Sequence, residues 1–303
     1  MAGAGFHEGE LAVQTRAGVR AQAARLGGAM LAVPDLNGGI SGFLAERHFA
    51  VLTARDSDGR LWTSPLIASA GFLAARDRGL TIHAAPDAGD ALHGLTEGQP
   101  VGLLAIEFAT RRRVRVNGTL TYAGPAELQI DVDQAFGNCP KYIQQRQLVY
   151  AARREPATEP GVRSATVGDE HIALISGADT FFLGTVHPTR GADASHRGGP
   201  PGFVRIEKGQ LWWPDYPGNN MFNSLGNLEV DKSAALLFVD FESGASLQLS
   251  GTAAVEWISP GAPGDDGGTG RRVRFTTESV VSGHRLGIHS RPLQPSPHNP
   301  PTT

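Results

Sequence analysis

The amino-acid sequence predicts a mainly β protein that contains two tandem copies of one antiparallel β domain, either a barrel or a sandwich. Three observations support this fold class: short apolar runs separated by turn residues, an ungapped internal repeat, and few segments with helical texture. Many short strands at close spacing are typical of antiparallel barrels and sandwiches. No G-x-G-x-x-G or G-x-x-x-x-G-K-[ST] sequence occurs, so a Rossmann dinucleotide site and P-loop chemistry are poorly supported.

Residues 1–42 are expected to form an N-terminal helical extension. An Ala-rich stretch over residues 13–31 has helical texture and ends at a loop rich in Pro, Asn and Gly, residues 34–39. The first barrel copy follows over residues 43–154. Its runs include residues 114–120, which alternate apolar and polar side chains as a half-buried strand does. The basic run at residues 111–115 is interpreted as a hairpin turn that enters this strand, rather than as a contact for nucleic acid.

The second half of the chain repeats the first. A shift of 133 positions aligns LLAIEFATRRRVRVNGTL, residues 103–120, with LLFVDFESGASLQLSGTA, residues 236–253, without a gap. Two leucines, an acid, a phenylalanine and a Gly-Thr pair coincide in this register. Chance seldom preserves such a set together, so we infer duplication of one β-rich domain, with the second copy over residues 169–290.

Three further segments complete the predicted organisation. Residues 141–152 have helical texture and would connect the two copies. Residues 155–168, with two prolines and two glycines, are expected to form a linker. The proline-rich residues 291–303 are expected to form a disordered tail.

Composition restricts the class of function. The net charge of -3 gives no sign of a basic surface for nucleic acid. Cys139 is the only cysteine, which excludes an intrachain disulfide and a cysteine-based zinc site, and the histidines lack ligand spacing, so no metal site is predicted. No signal peptide and no membrane-spanning apolar run is visible. We therefore expect a cytoplasmic protein without membrane or nucleic-acid partners.

Two neighbouring segments of the second copy could bind a ligand. The run SHRGGPPG, residues 195–202, has too many glycines and prolines for a strand interior and suits close backbone approach to a flat ligand. Arg197 would supply a permanent planar charge for a phosphate or a carbonyl, although a wide surface loop is the alternative. Residues 219–223 place three asparagines near a short helix expected to begin near Asn219. Such a helix N-terminus suits an anion, whereas capping alone would explain one asparagine.

The Ser-x-Arg strand, the aromatic strand end, the short helix and the Leu-Leu-Phe strand together resemble the pyridoxamine 5′-phosphate oxidase-like family of FMN-binding split barrels. Within that family they are similar to a subgroup of predicted flavin-nucleotide-binding proteins. The resemblance implies tandem split β-barrels of the FMN-binding type that hold non-covalent FMN. It also implies an oxidoreductase or electron-transfer function with a small-molecule or protein redox partner, such as a reductase. F420 or haem as the ligand, a non-catalytic flavin-binding role and a homodimer stay open.

The same resemblance implies which residues contact the cofactor. They are Ser195, His196, Arg197, Gly198, Asn219, Asn220, Met221 and Asn223, together with Lys141 and Cys139 of the segment that follows the first barrel. The family's pyridoxamine oxidases carry basic residues in the turn where this chain has amides, which counts against vitamin B6 oxidation. No catalytic residue is assigned.

The first copy is expected to lack a binding site of its own. Residues 63–73 are plain and apolar where the second copy has its Gly-Pro run. The counterpart of the asparagine turn, residues 85–90, carries acids that would repel a phosphate. The sequence therefore predicts one flavin per chain, bound by the second copy, with the first copy as a structural partner.

Overall fold

The computed structural model describes residues 5–30, 35–151, 157 and 160–300. Helices α1 (Glu8–Arg16), α2 (Arg20–Met30) and α3 (Gly39–Ala45) precede the first barrel. The strands of that barrel are β1 (Phe49–Arg55), β2 (Leu61–Ile67), β3 (Leu73–Arg76), β4 (Gly79–Ile82), β5 (Pro100–Glu107), β6 (Arg112–Ala123) and β7 (Leu128–Gly137).

The second barrel is reached through strands β8 (Gln145–Tyr150) and β9 (Val162–Ser164) and helix α4 (Asp169–Gly177). Its elements are β10 (Thr180–His187), β11 (Gly191–Gly198), β12 (Arg205–Glu207), β13 (Gln210–Pro214), α5 (Asn223–Val230), β14 (Ser233–Val239), β15 (Ala245–Trp257) and β16 (Arg271–Arg285). Strand β17 (Ile288–Gln294) follows. Among the described residues, no helix combines the length and apolar character needed to cross a bilayer.

The two barrels share one topology. The strand order is β2-β1-β5-β6-β7-β4-β3 in the first sheet and β11-β10-β14-β15-β16-β13-β12 in the second, so every strand has a counterpart in the same place. The register is also shared: Leu103 pairs with Val116, and Leu236 pairs with Leu249, which is the shift of 133 positions found in the sequence. The predicted fold class, a mainly β chain of two repeated barrels, is confirmed.

The central strands are buried on both faces because each barrel packs against the other. Along β5, Leu103 and Ala105 lie in the core of the first barrel, whereas Leu104 and Ile106 lie in a cluster that both barrels build. We call this cluster the shared core. From the second barrel it includes Phe182, Ala194, Leu237, Val239 and Phe241. Successive side chains of a strand point to opposite faces, and here both faces meet an apolar core. This explains the near-continuous apolar runs in the sequence.

The segments around the barrels differ from the sequence predictions. Residues 141–152 were expected to be helical, but β8 lies within them and pairs with β17. The same pairing overturns the prediction of a disordered tail for residues 291–294, since the backbone of β17 is hydrogen-bonded to β8. The tail contacts continue to Ser296, whose N–H donates to Gln144 Oε1 at 2.7 Å.

The start of α5 and the predicted linker also differ from their predicted bounds or lie partly outside the described residues. Helix α5 begins at Asn223 rather than near Asn219, because Asn220 and Phe222 adopt left-handed backbone angles that no α-helix contains. The predicted linker falls partly outside the described residues, at 155–156 and 158–159. Its described part includes β9, which pairs with β16.

Candidate functional site

A cleft between the two barrels brings together most of the predicted site residues. Its walls come from β6 of the first barrel, from residues 138–142 after β7 (the connector), and from β11, β13 and α5 of the second barrel. Its enclosed volume is about 120 Å³. Ligand pockets usually measure ~300–1,000 Å³, so the enclosed part of this cleft is smaller than a typical ligand pocket.

The pleat of β11 decides which of its side chains reach this cleft. Asp193, Ser195 and Arg197 alternate along one face, and Ser224 Oγ of α5 lies 3.0 Å from both Asp193 Oδ2 and Ser195 Oγ. His196 lies on the other face, where its ring packs edge-on against aromatic rings of the shared core. The sequence prediction grouped these residues together, but the strand separates the His196 ring from Ser195 and Arg197.

Three arginines from both barrels converge on the cleft. Arg197 has a side chain that is 25% exposed, and its nearest carboxylate oxygen, Asp215 Oδ1, is 3.8 Å away. Arg113 donates to the carbonyl oxygens of His196 at 3.2 Å and Cys139 at 2.7 Å, which are uncharged partners. Arg115 pairs with Asp193 at 2.9 Å. The Nε atoms of all three arginines are buried and have no hydrogen-bond partner.

The pKa values of these groups are shifted mainly by burial, and neighbouring charges modify the effect. Burial, reinforced by the charges of Arg115 and Arg197, lowers the pKa of Arg113 to about 9. Burial also lowers the pKa of Arg197, against the opposing effect of Asp215. Burial and the neighbouring arginines hold the pKa of His196 well below its usual range, so this ring is neutral. Buried donors without partners are costly, and a bound anion would satisfy them.

The asparagine turn, residues 219–223, is placed at one wall of the cleft. Asn219, Asn220 and Asn223 line it, as do the first residues of α5, and Phe222 before that helix has no capping side chain. Asn223 Oδ1 accepts from Arg115 at 3.4 Å. Met221 does not line the cleft, because its side chain is fully buried in the protein. The helix end and the arginine thus stand together at a position suited to an anion.

The connector forms another part of the cleft wall. Cys139, Lys141 and Tyr142 line the cleft, and the Tyr142 ring lies 5.0 Å from that of Tyr216. A Cβ atom on Gly198 would lie only 2.1 Å from the carbonyl oxygen of Tyr142. Only glycine therefore permits the connector to approach β11 this closely.

Arg113 and Arg115 are the charged residues of the first barrel that line the cleft and that the sequence analysis missed. The turn before β6 was recognised correctly, because Arg111 has a φ of 53° and the strand begins at Arg112. The polar face of β6 was taken to face solvent, whereas it faces the second barrel. A signal was present in the alternation Arg113, Arg115, Asn117 among valines, but it could be used only once the position of the second barrel was known.

The equivalent position in the first barrel is closed. Register pairs place Gln248 at the counterpart of Arg115, Leu66 at that of Arg197 and Ser64 at that of Ser195. Gln248 Nε2 donates to Ser64 Oγ at 2.8 Å and to Asp90 Oδ2 at 3.2 Å. A compact hydrogen-bonded group thus stands where the second barrel has its cleft, and the counterparts of all three arginines, Ser246, Gln248 and Leu66, are uncharged.

One cluster outside the cleft has metal-ligating side chains. His7, Glu8 and His187 place one ligand atom each within 4.8 Å of one another. Nδ1 of His7 accepts from the N–H of Gly9, and Nδ1 of His187 accepts from the N–H of Arg190, both at 3.2 Å. Each neutral ring must then carry its proton on Nε2, which leaves no lone pair for a metal. His7 is the N-cap residue of α1, and its side chain accepts from the N–H of Gly9.

Comparison with known proteins gives one match by sequence. Residues 167–260 match the sequence model of a family described as pyridoxamine 5′-phosphate oxidase. The matched range includes β11, α5 and the asparagine turn, so the predicted resemblance to this split-barrel family is confirmed there. No curated protein matches the chain.

Several solved structures are similar over a smaller part of the chain. A putative pyridoxamine 5′-phosphate oxidase from Lactobacillus delbrueckii has 14% identity and a TM-score of 0.31, covering 38% of this chain and 93% of that one. The heme storage protein HutZ from Vibrio cholerae has 13% identity and a TM-score of 0.30, covering 40% and 99%. An F420 reductase has 16% identity and a TM-score of 0.26, covering 40% and 99%. Similarity of this extent says nothing about the ligand of the present chain.

Proposed function

We propose that this chain, whose second barrel is a pyridoxamine 5′-phosphate oxidase-like split barrel, is a flavoprotein that binds one FMN in the cleft between its barrels. The observation that carries the proposal is the set of buried Nε atoms of Arg113, Arg115 and Arg197, which have no partner, together with the positive charges of Arg113 and Arg197, which have no close carboxylate. A phosphate dianion supplies both the charge and the acceptor oxygens that these groups lack. Aromatic side chains in the walls, among them Trp213 and Tyr142, suit a flat ring system.

The roles of the residues follow from their positions. Arg197, Asn219, Asn223 and the N-terminus of α5 would hold the phosphate, since all of them line the cleft. Lys141 of the connector would stand near the N1–C2 carbonyl edge of the flavin, where a positive charge stabilises the anionic reduced form. Bound FMN would supply hydride or electron transfer, and the protein would supply orientation and charge. We therefore propose an oxidoreductase or electron-transfer function, with a small-molecule or protein partner such as a reductase.

The alternatives differ in how well the cleft suits them. His196 is the one histidine among the described residues that line the cleft, and its ring lies in the shared core rather than against the ligand space. This placement disfavours haem, which commonly takes an axial histidine. The deazaflavin F420 is also anionic, so the same arginines favour it as a second candidate. Mass spectrometry of the ligand released on denaturation distinguishes the two.

An absorbance spectrum of the purified chain, followed by FMN titration, tests the proposal. We expect either flavin bands in the isolated protein or saturable uptake of added FMN. A colourless protein that takes up no FMN would refute flavin binding. Colour that persists without turnover against NADH, NADPH or a reductase would instead favour a non-catalytic flavin-binding role.

A further inference from the structure

The asparagine turn has a backbone conformation that its own sequence does not favour. Asn220 has a φ of 61° and Phe222 a φ of 62°, so two non-glycine residues lie in the left-handed region within three positions. For a phenylalanine this conformation is strained. Strain of this kind persists only where surrounding contacts hold the backbone in place.

Those contacts come from the N-terminal helices. Gln14 Nε2 donates to the carbonyl oxygen of Met221, between the two left-handed residues, at 3.1 Å. Asn220 Nδ2 donates to Gln22 Oε1 at 3.2 Å. Asn223 Nδ2 donates to Glu10 Oε1 at 2.5 Å. Helices α1 and α2 thus reach across about two hundred positions of sequence to three of the five residues of the turn.

The packing of α1 against α5 fixes the geometry of these bonds. A Cβ atom on Gly9 would lie 2.1 Å from the carbonyl oxygen of Gly226, and one on Gly226 would lie 2.6 Å from the backbone nitrogen of Glu10. The two helices therefore touch backbone to backbone. Gln14 is fully buried, and its Nε2 donates to the Met221 carbonyl while its Oε1 has no hydrogen-bond partner.

We infer that α1 and α2 hold the asparagine turn in the conformation that binds the anion, and that Gln14 is a positioning residue for this site. By holding the Met221 carbonyl, Gln14 keeps Asn219 and Asn223 where the phosphate of the ligand requires them. This inference rests on the proposed function, since it assigns the turn to the phosphate of FMN. It predicts that the N-terminal helices set the preference for FMN over riboflavin, which has the same ring system without the phosphate.

The test compares FMN and riboflavin binding to full-length variants by flavin fluorescence. Gln14→Met keeps the length of the side chain but removes the donor, which leaves the buried Met221 carbonyl unsatisfied. We expect its Kd for FMN to rise by roughly tenfold, as for loss of a buried hydrogen bond, and its Kd for riboflavin to stay within about twofold. Gln22→Met, at an exposed position that tolerates substitution, should raise the FMN Kd by about two- to threefold. Thr15→Ala is the matched control on α1, because its hydroxyl bonds only the helix backbone.

Each outcome separates the possibilities. Loss of FMN preference with unchanged riboflavin binding supports the inference. Equal weakening of both ligands in Gln14→Met and Gln22→Met would mean that the helices only stabilise the fold, and unchanged FMN affinity in both would mean that they play no part in the site. Either result overturns the inference but leaves flavin binding intact. A wild-type chain that binds neither flavin refutes the proposed function itself, and this inference with it.

Discussion

Arg197→Met removes the arginine of the cleft whose ion pair is longer than that of Arg115. Arg197 has Asp215 as its nearest acid at 3.8 Å, whereas Asp215 is held by Arg271 Nη2 at 2.9 Å, so the acid keeps a partner when Arg197 is lost. A charge-assisted hydrogen bond to phosphate is worth about 1.5–3 kcal/mol, and partial exposure places Arg197 near the lower half of that range. Taking about 2 kcal/mol, we expect the Kd for FMN to rise by roughly 30-fold.

Stability should respond in a different way. Arg113 and Arg115 repel Arg197 in the ligand-free protein, whereas Asp215 and Asp193 attract it, so its removal changes opposing interactions that offset one another. The free energy of unfolding of the ligand-free variant should therefore stay within about 1 kcal/mol of wild type in urea denaturation.

The matched control is Arg112→Met. Arg112 is one position from Arg113, but its guanidinium lies 5.1 Å from the centre of the Phe43 ring, outside the cleft. Fluorescence titration with FMN at about 0.1 M salt should give it a Kd within about twofold of wild type. Equal losses of FMN affinity in Arg197→Met and Arg112→Met would show that FMN does not bind in the cleft at Arg197. Strong destabilisation of Arg197→Met without ligand would show that this arginine is structural.

Two further predictions address the connector and the closed position of the first barrel. Gly198→Ala should displace the Tyr142 carbonyl and weaken FMN binding by at least about tenfold. Gly177→Ala is the control, because the space around Gly177 is open, and it should leave FMN binding unchanged. A crystal structure of Gly198→Ala in which the connector has not moved would contradict this reasoning. Burial raises the pKa of Asp90 to about 6, so its contribution to stability is full below about pH 4 and is lost as the pH rises to about 6. The difference in unfolding free energy between Asp90→Asn and wild type should therefore shift by roughly 3 kcal/mol in favour of the variant between pH 4 and pH 7, measured by urea denaturation. If this difference does not change with pH, Asp90 titrates normally.

The barrels could be predicted from sequence because their information is local and repeated. Strands β5 and β14 carry the same apolar alternation, and the shared Gly-Thr pairs fix the register of β6 and β15. Duplication then doubles the evidence for each element. The sequence also indicated a difference between the two copies, since Leu66 of the apolar residues 63–73 is the counterpart of Arg197.

The errors have a common cause in long-range contacts. Residues 145–150 have helical texture on their own, but pairing with β17 makes them a strand and also orders the start of the tail. Helix α5 was predicted to begin too early because nothing near Asn219 reveals that Gln14 holds the turn in a left-handed conformation. Arg113 and Arg115 were taken for surface residues because the barrel they face lies about eighty positions further along the chain.

The stoichiometry of FMN binding tests the central claim most directly. The cleft has walls from both barrels of one chain, and its counterpart is closed by Gln248, Ser64 and Asp90. Native mass spectrometry of the purified protein with excess FMN should therefore show one FMN per chain, and Arg197→Met should show little. Two FMN per chain would mean that the first barrel has a working site, and no FMN would contradict the account as a whole.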